Sequence, residues 1–199
     1  MVRDQPTRSI EDRRTDERYQ RLMAATRRAA RSGYDAVSMR ELAKETRMSM
    51  TTIYQFCSSK DHLIAEAHLE WMERFRTSLE SKPSRGTTAR ERVLAYITEI
   101  VTAWEQHEVL IRTLQRAVYS MDPGVVEVRS SMRGIYSRIM ELAIGDASVS
   151  DPAEVAEIIG HVIDSVTFRW VSGTVDNREG RMILERAVRT LLPASLVRV

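Results

Sequence analysis

A chain of 199 residues and 22.8 kDa that is 43% hydrophobic and 29% charged has the apolar content for a sizeable core and the length for one domain or two small ones, which excludes a disordered chain. Its 30 Lys and Arg against 28 Asp and Glu leave a formal charge of +2, so no global field recruits a polyanion or a membrane, and any such binding must be local. Cys57 is the single cysteine and has no intrachain disulfide partner. The opening MVRDQPTRSIEDRR lacks the apolar core of a secretory leader, and charged residues interrupt every apolar run before the ~20 positions of a membrane span. The expectation is a cytoplasmic protein with no membrane partner. The eight glycines lie at 33, 86, 124, 134, 145, 160, 173 and 180, never closer than seven apart. Glycine-rich phosphate loops, which need glycines two to five apart, are therefore excluded.

Apolar residues recur at intervals of three and four, as in Val93, Ile97, Ile100, Trp104 and again in Val155, Ile159, Val162, Val166, which is the period of amphipathic helices. The pattern predicts helices over 10–32, 39–46, 50–56, 60–81, 88–106, 109–120, 124–144, 152–175 and 178–192. Asp151-Pro152-Ala153-Glu154 is a helix start, with an Asp cap, a Pro at the first position and a Glu at the third. Lys82-Pro83-Ser84-Arg85-Gly86 reads as a linker. The expected fold is all-α: an N-terminal three-helix domain over 1–60 and a C-terminal helical domain over 61–199, with the 60–81 helix running between them.

Residues 38–56 hold two short helices in close succession. Ser38-Met39-Arg40-Glu41 opens one as a capping box and Ser49 caps the next, the spacing of a helix-turn-helix. Leu42, Ala43, Met48 and Ile53 are placed to fill its inner side. Met50, Thr51, Thr52, Tyr54, Gln55 and then Lys60 offer hydroxyls, an amide and a cation to phosphates and base edges. Residues 1–60 carry a charge of +5 and residues 61–199 a charge of −3, so the basic end is the motif end.

The segment RLMAATRRAARSGYDAVSMRELAKETRMSMTTIYQFCSSKDHL, residues 21–63, resembles the N-terminal domain of TetR-family transcriptional repressors. The resemblance rests on Leu22, Met23 and Ala25 of the first helix, Gly33 at its end, the Ser38 cap, the Leu42-Ala43 pair, Ser49 to Tyr54, then Ser59-Lys60-Asp61 and Leu63. It implies a homodimer that reads a palindromic operator in double-stranded DNA. By matching position, Thr52 and Tyr54 bond phosphates, Lys60 holds the DNA backbone, and Met50, Thr51 and Gln55 face bases. Arg40 reaches a phosphate or a base edge, and the Ser38 and Ser49 caps flank the same surface, with Ser38 doubling as a phosphate contact. Three positions depart from the family pattern. Arg47 replaces a turn glycine where positive φ is needed, Thr51 replaces a frequent glycine on the recognition face, and Cys57 replaces an aromatic, with Phe56 placed to compensate.

In the second domain Trp104, His107, Leu114, Tyr119, Met132, Tyr136, His161 and Phe168 are the candidate ligand contacts, since pockets are mostly apolar with a few polar groups. The stretch from Thr113 to Tyr119 and the last two helices also resemble the actinobacterial TetR-type repressors of sterol catabolism, which implies a small apolar effector such as a sterol-like molecule or an acyl-CoA. The face Val155, Ile159, Val162, Val166, with Gly160 and Ser165, and the helix carrying Ile183, Ala187 and Leu191 read as a dimer interface. No Glu-x-x-His pair and no nucleophile with its base is present, so neither metal nor cofactor is expected and an enzyme ranks last. The rival reading is a helical apolar-ligand carrier that never binds DNA.

Overall fold

A computed structural model describes residues 16–82, 85–132, 134–145 and 149–192. The described residues form helices and no strand: α1 (Glu17–Ala30), a 3-10 turn (Tyr34–Ala36), α2 (Met39–Thr46), α3 (Met50–Phe56), α4 (Lys60–Glu80), α5 (Ala89–Gln106), α6 (Glu108–Val118), α7 (Pro123–Met132), α8 (Ile135–Ile144), α9 (Pro152–Val171) and α10 (Asn177–Leu191). The expected helix starts at residues 10–15, and Pro83 and Ser84 of the expected linker, lie outside the described residues.

Side-chain caps set most of these starts, because the first amides of a helix lack internal partners. Asp16, Ser38, Ser49, Ser59, Thr88, Asp151 and Asp176 each accept an amide of the following turn, and Thr88 with Glu91 completes a reciprocal capping box. Arginines close three C-termini. Arg90 bonds the Arg189 and Leu192 carbonyls behind α10, Arg92 those of Ala143 and Ile144 behind α8 at 2.7 Å each, and Arg112 those of Trp170 and Val171 behind α9. The predicted single helix 124–144 is two, α7 and α8, meeting at Gly134.

Two cores result. The first joins α1 to α3 with Leu63, Ile64 and Ala67 of α4 and Leu110, Leu114 and Ala117 of α6. The second holds Ala65, Leu69 and Met72 of α4 with the apolar faces of α5 to α10. Helix α4 therefore belongs to both, and Trp71 packs against both.

Candidate DNA-binding face and effector cavity

The reading face is built around one turn. Helix α2 ends at Arg47, whose backbone is left-handed (φ 55, ψ 40) and which is the one non-glycine with positive φ among the described residues. That conformation lets the Met48 amide reach the Ala43 carbonyl at 3.0 Å, closing the helix as glycine usually does. Met48 then drops into the core beside Leu42, Ala43 and Ile53. Ser49 caps α3 through the Thr52 amide at 3.0 Å and meets the Thr52 hydroxyl at 2.9 Å. Arg40, Ser49, Thr51, Tyr54 and Gln55 are exposed, whereas Ser38, Met50, Thr52 and Lys60 are half-buried. Met50 leans on the first core. The Lys60 ammonium lies over the Tyr34 ring at 4.0 Å. Cys57 is buried with its thiol on the Ile53 carbonyl at 3.4 Å, and Phe56 supplies the aromatic filler, edge-on to Tyr19 at 5.7 Å.

The second core borders a cavity of about 280 Å³ between α4 and α6 to α9, open to solvent on the side of Tyr119, His161 and Asp164. Its wall includes Met72, Met132, Tyr136 and Tyr119, with Arg129, His161 and Asp164 among its polar groups. His68 of α4 also lines it, fully buried, and neither ring nitrogen has a hydrogen-bond partner among the described residues. Burial disfavours the imidazolium and pushes its pKa down to about 3, so the ring is neutral, with one donor and one acceptor. It stacks on Trp71 (6.1 Å, 6°), which stacks on Phe75 (5.3 Å, 5°). Asp164 is pushed up to about 6 by desolvation, opposed by nearby His161. Burial, then the Asp164 charge, raises the Tyr136 phenol above its ordinary value.

Residues 22–67 match the family described as "Bacterial regulatory proteins, tetR family", and residues 86–191 match "Tetracyclin repressor-like, C-terminal domain". The chain belongs to the TetR family. It is 26% identical over 178 residues to the HTH-type transcriptional repressor KstR of Rhodococcus jostii, covering 88% of this chain and 83% of that protein. It is 25% identical over 181 residues to KstR of Mycobacterium tuberculosis (88% and 81%). A TetR transcriptional regulator from a Rhodococcus species shares the fold with a TM-score of 0.74 at 16% identity, covering 89% of this chain and 96% of that one. Bacillus subtilis FadR, solved in complex with stearoyl-CoA, does so at 0.57 and 17% (89% and 99%). The protein is thus a transcriptional regulator of the TetR family, a family of DNA-binding, ligand-binding proteins and not of enzymes. No helix among the described residues is long and apolar enough to cross a membrane.

Within this TetR fold the candidate ligand contacts separate. Tyr119, Met132, Tyr136 and His161 meet around one cavity, and Phe168 touches Tyr119 from outside it, edge-on at 4.9 Å. Three others do not line that cavity. Trp104 is core, stacked on Trp170 at 5.2 Å; Leu114 is fully buried in the first core; and exposed His107 is the junction between α5 and α6. His68 was missed because a histidine on an α4 face gives no periodic signal apart from its apolar neighbours. The face expected to pair two subunits is also intrachain. Ile159 and Val166 are buried, Val155 and Val162 pack beside them, and a Cβ on Gly160 would meet Ser137 Oγ at 2.8 Å. The large apolar side chains that α9 and α10 leave exposed are Ile158, Phe168 and Met182.

A polar strap also ties the two halves together. The Tyr19 hydroxyl of α1 donates to Glu66 at 2.8 Å, and Glu66 stands 3.5 Å from His62 one turn earlier on α4. The Ser58 amide donates to His62 Nδ1 at 3.0 Å, and the Ser58 hydroxyl donates to Asp122, before α7, at 2.8 Å.

Proposed function

We propose that this TetR-family regulator is a cytoplasmic repressor that binds a palindromic operator as a homodimer and is released when a small apolar effector enters the cavity at His68. Repression follows the KstR relatives, which are transcriptional repressors. The effector is apolar because most of the cavity wall is; a sterol-like molecule or an acyl-CoA is the favoured class, the latter in keeping with the stearoyl-CoA held by the FadR neighbour. Recognition falls to Arg40, Thr51 and Gln55, exposed on α2 and α3, with α3 in the major groove and Ser38, Ser49, Thr52, Tyr54 and Lys60 toward phosphates.

The observation that carries the coupling is His68 stacked on Trp71, since that indole packs against both cores. A ligand that prefers one placement of this pair shifts the population of α4 positions, and α4 begins at Lys60 immediately after the recognition helix. Selection of bound sequences from random duplex DNA at two salt concentrations tests the reading. An enriched palindrome at both is the expected result. Binding without sequence preference that vanishes at moderate salt would leave an apolar-ligand carrier as the better description.

A further inference from the structure

A second concavity, about 490 Å³, opens beside the effector cavity and shares Tyr119 with it. Its walls come from both halves of the molecule: Tyr34 precedes the helix-turn-helix, Arg112 and Arg116 lie on α6, and Phe168 lies on α9. Among the described residues no carboxylate lines it. Its two cations differ in availability. Arg112 is engaged with the Trp170 and Val171 carbonyls at 2.6 and 2.7 Å, with Glu108 at 2.9 Å and with the Trp170 ring. Arg116 is exposed and has no carboxylate within ion-pair distance among the described residues; its guanidinium lies over the Tyr34 ring at 4.1 Å.

Apart from Thr113 and Ser172, the rest of the groove is mostly apolar, and it is open. Val109, Tyr119 and Phe168 are 53%, 45% and 49% exposed, and the two rings already touch. Exposed aromatics beside an unpaired guanidinium complement a molecule with an apolar body and an anionic end. Tyr34 connects that site to the DNA face, because the same ring carries the Lys60 ammonium at 4.0 Å and its hydroxyl donates to Asp61 at the start of α4.

Resting on the regulator reading above, we propose that this groove binds the anionic end of an amphiphile, its carboxylate or phosphate on Arg116 and its apolar body against Tyr119 and Phe168, and reports occupancy to the DNA face through Tyr34. An anion on Arg116 neutralises one of the two like charges that share the ring. The repulsion on Lys60 falls, its ammonium settles over the ring, and it is less available to a DNA phosphate.

The test uses the full chain with sub-micellar decyl phosphate, decanoate and uncharged decanol, measured by calorimetry, and release of operator DNA measured in parallel. Either anion should bind about tenfold more tightly than decanol. Arg116→Gln should erase that preference without changing the thermal melt, and Arg116→Lys should restore part of it. Preference for decyl phosphate alone assigns a phosphate end; preference shared with decanoate assigns a general anion site. Tyr34→Leu should still bind the anion yet release less DNA. Equal affinity for decanol, or a preference that survives Arg116→Gln, overturns the site. Failure of wild-type protein to bind DNA in the absence of amphiphile would count against the regulator reading instead, while the calorimetric preference still decides the groove.

Discussion

Gly124 lies against the imidazole of His62, so closely that a Cβ at position 124 would fall 2.1 Å from Nδ1. That nitrogen receives the Ser58 amide, and the Gly124 amide donates to Asp122 at 2.8 Å, so the first turn of α7 and the strap between the two halves occupy one small volume. Gly124→Ala must therefore displace the His62 ring, which the Ser58 amide holds at Nδ1. Overpacking of this kind costs about 1–3 kcal/mol, to be read from urea denaturation. Ser58→Ala, which removes the hydroxyl bonded to Asp122 at 2.8 Å and lying 3.0 Å from His62 Nδ1, should cost about 1 kcal/mol. Equal stability of wild type and Gly124→Ala would show that His62 has room the structure does not give it.

Arg47 holds a left-handed conformation that disfavours residues with a Cβ by about 1–2 kcal/mol. Arg47→Gly relieves that strain and returns part of the gain as unfolded-state entropy, for a net stabilisation of about 0.5–1 kcal/mol. The urea midpoint should rise with an unchanged slope. A fall would mean that the exposed arginine side chain holds the turn.

Two groups at the cavity between α4 and α9 make stability depend on acidity in opposite directions. His68 is held near a pKa of about 3 against an ordinary 6.5. Below 6.5 the unfolded chain takes up a proton that the native state refuses, so stability falls as pH drops from 6.5 toward 3. Asp164, raised to about 6 from 3.8, binds its proton more tightly in the native state. Its contribution is largest below 4 and is lost as pH rises through 6. Fully buried His68 should dominate. His68→Phe is expected to add about 2 kcal/mol at pH 5, less at pH 7.5, and to flatten the urea midpoint between pH 4 and 6.5. An unaltered pH profile in that variant would mean the native ring accepts a proton near its ordinary value.

At the DNA face, Lys60→Ala should weaken binding about equally across sequences and lower the salt slope by about one. Gln55→Ala should relax preference at one operator base by about 1–3 kcal/mol. Competition binding across single-base operator variants separates the two, and a sequence-specific loss in Lys60→Ala would contradict the phosphate role.

The helix starts were readable because Ser38, Ser49, Asp151 and their partners act within one turn, so sequence neighbours are spatial neighbours. The left-handed turn at Arg47 was legible only through the family resemblance, which places a glycine at that position. The break at Gly134 was not, because the apolar period runs through it. The face of Val155, Ile159, Val162 and Val166 was correctly apolar, yet periodicity cannot say whether a face meets its own chain or another. Trp104 and Tyr136 look alike as buried aromatics in a helix. Only tertiary placement puts Trp104 on Trp170 and Tyr136 at a cavity. The first core also takes in Leu110, Leu114 and Ala117 of α6, some fifty residues beyond the 38–56 motif, a contact no local pattern encodes.

Because α4 is rooted in both cores, the proposed coupling would use it as a lever with its fulcrum near Trp71. Its 21 residues span about 30 Å at 1.5 Å per residue, so a pivot of about 5° at mid-helix moves the Lys60 end by roughly 1.3 Å. Two such levers related by a twofold axis would swing in opposite senses, and the separation of two recognition helices would change by up to about twice that distance. A groove spacing fixed at about 34 Å in B-form DNA tolerates little of this. In the proposed dimer, a pivot of a few degrees where His68 meets Trp71 would therefore be felt, after amplification along one helix, at the operator.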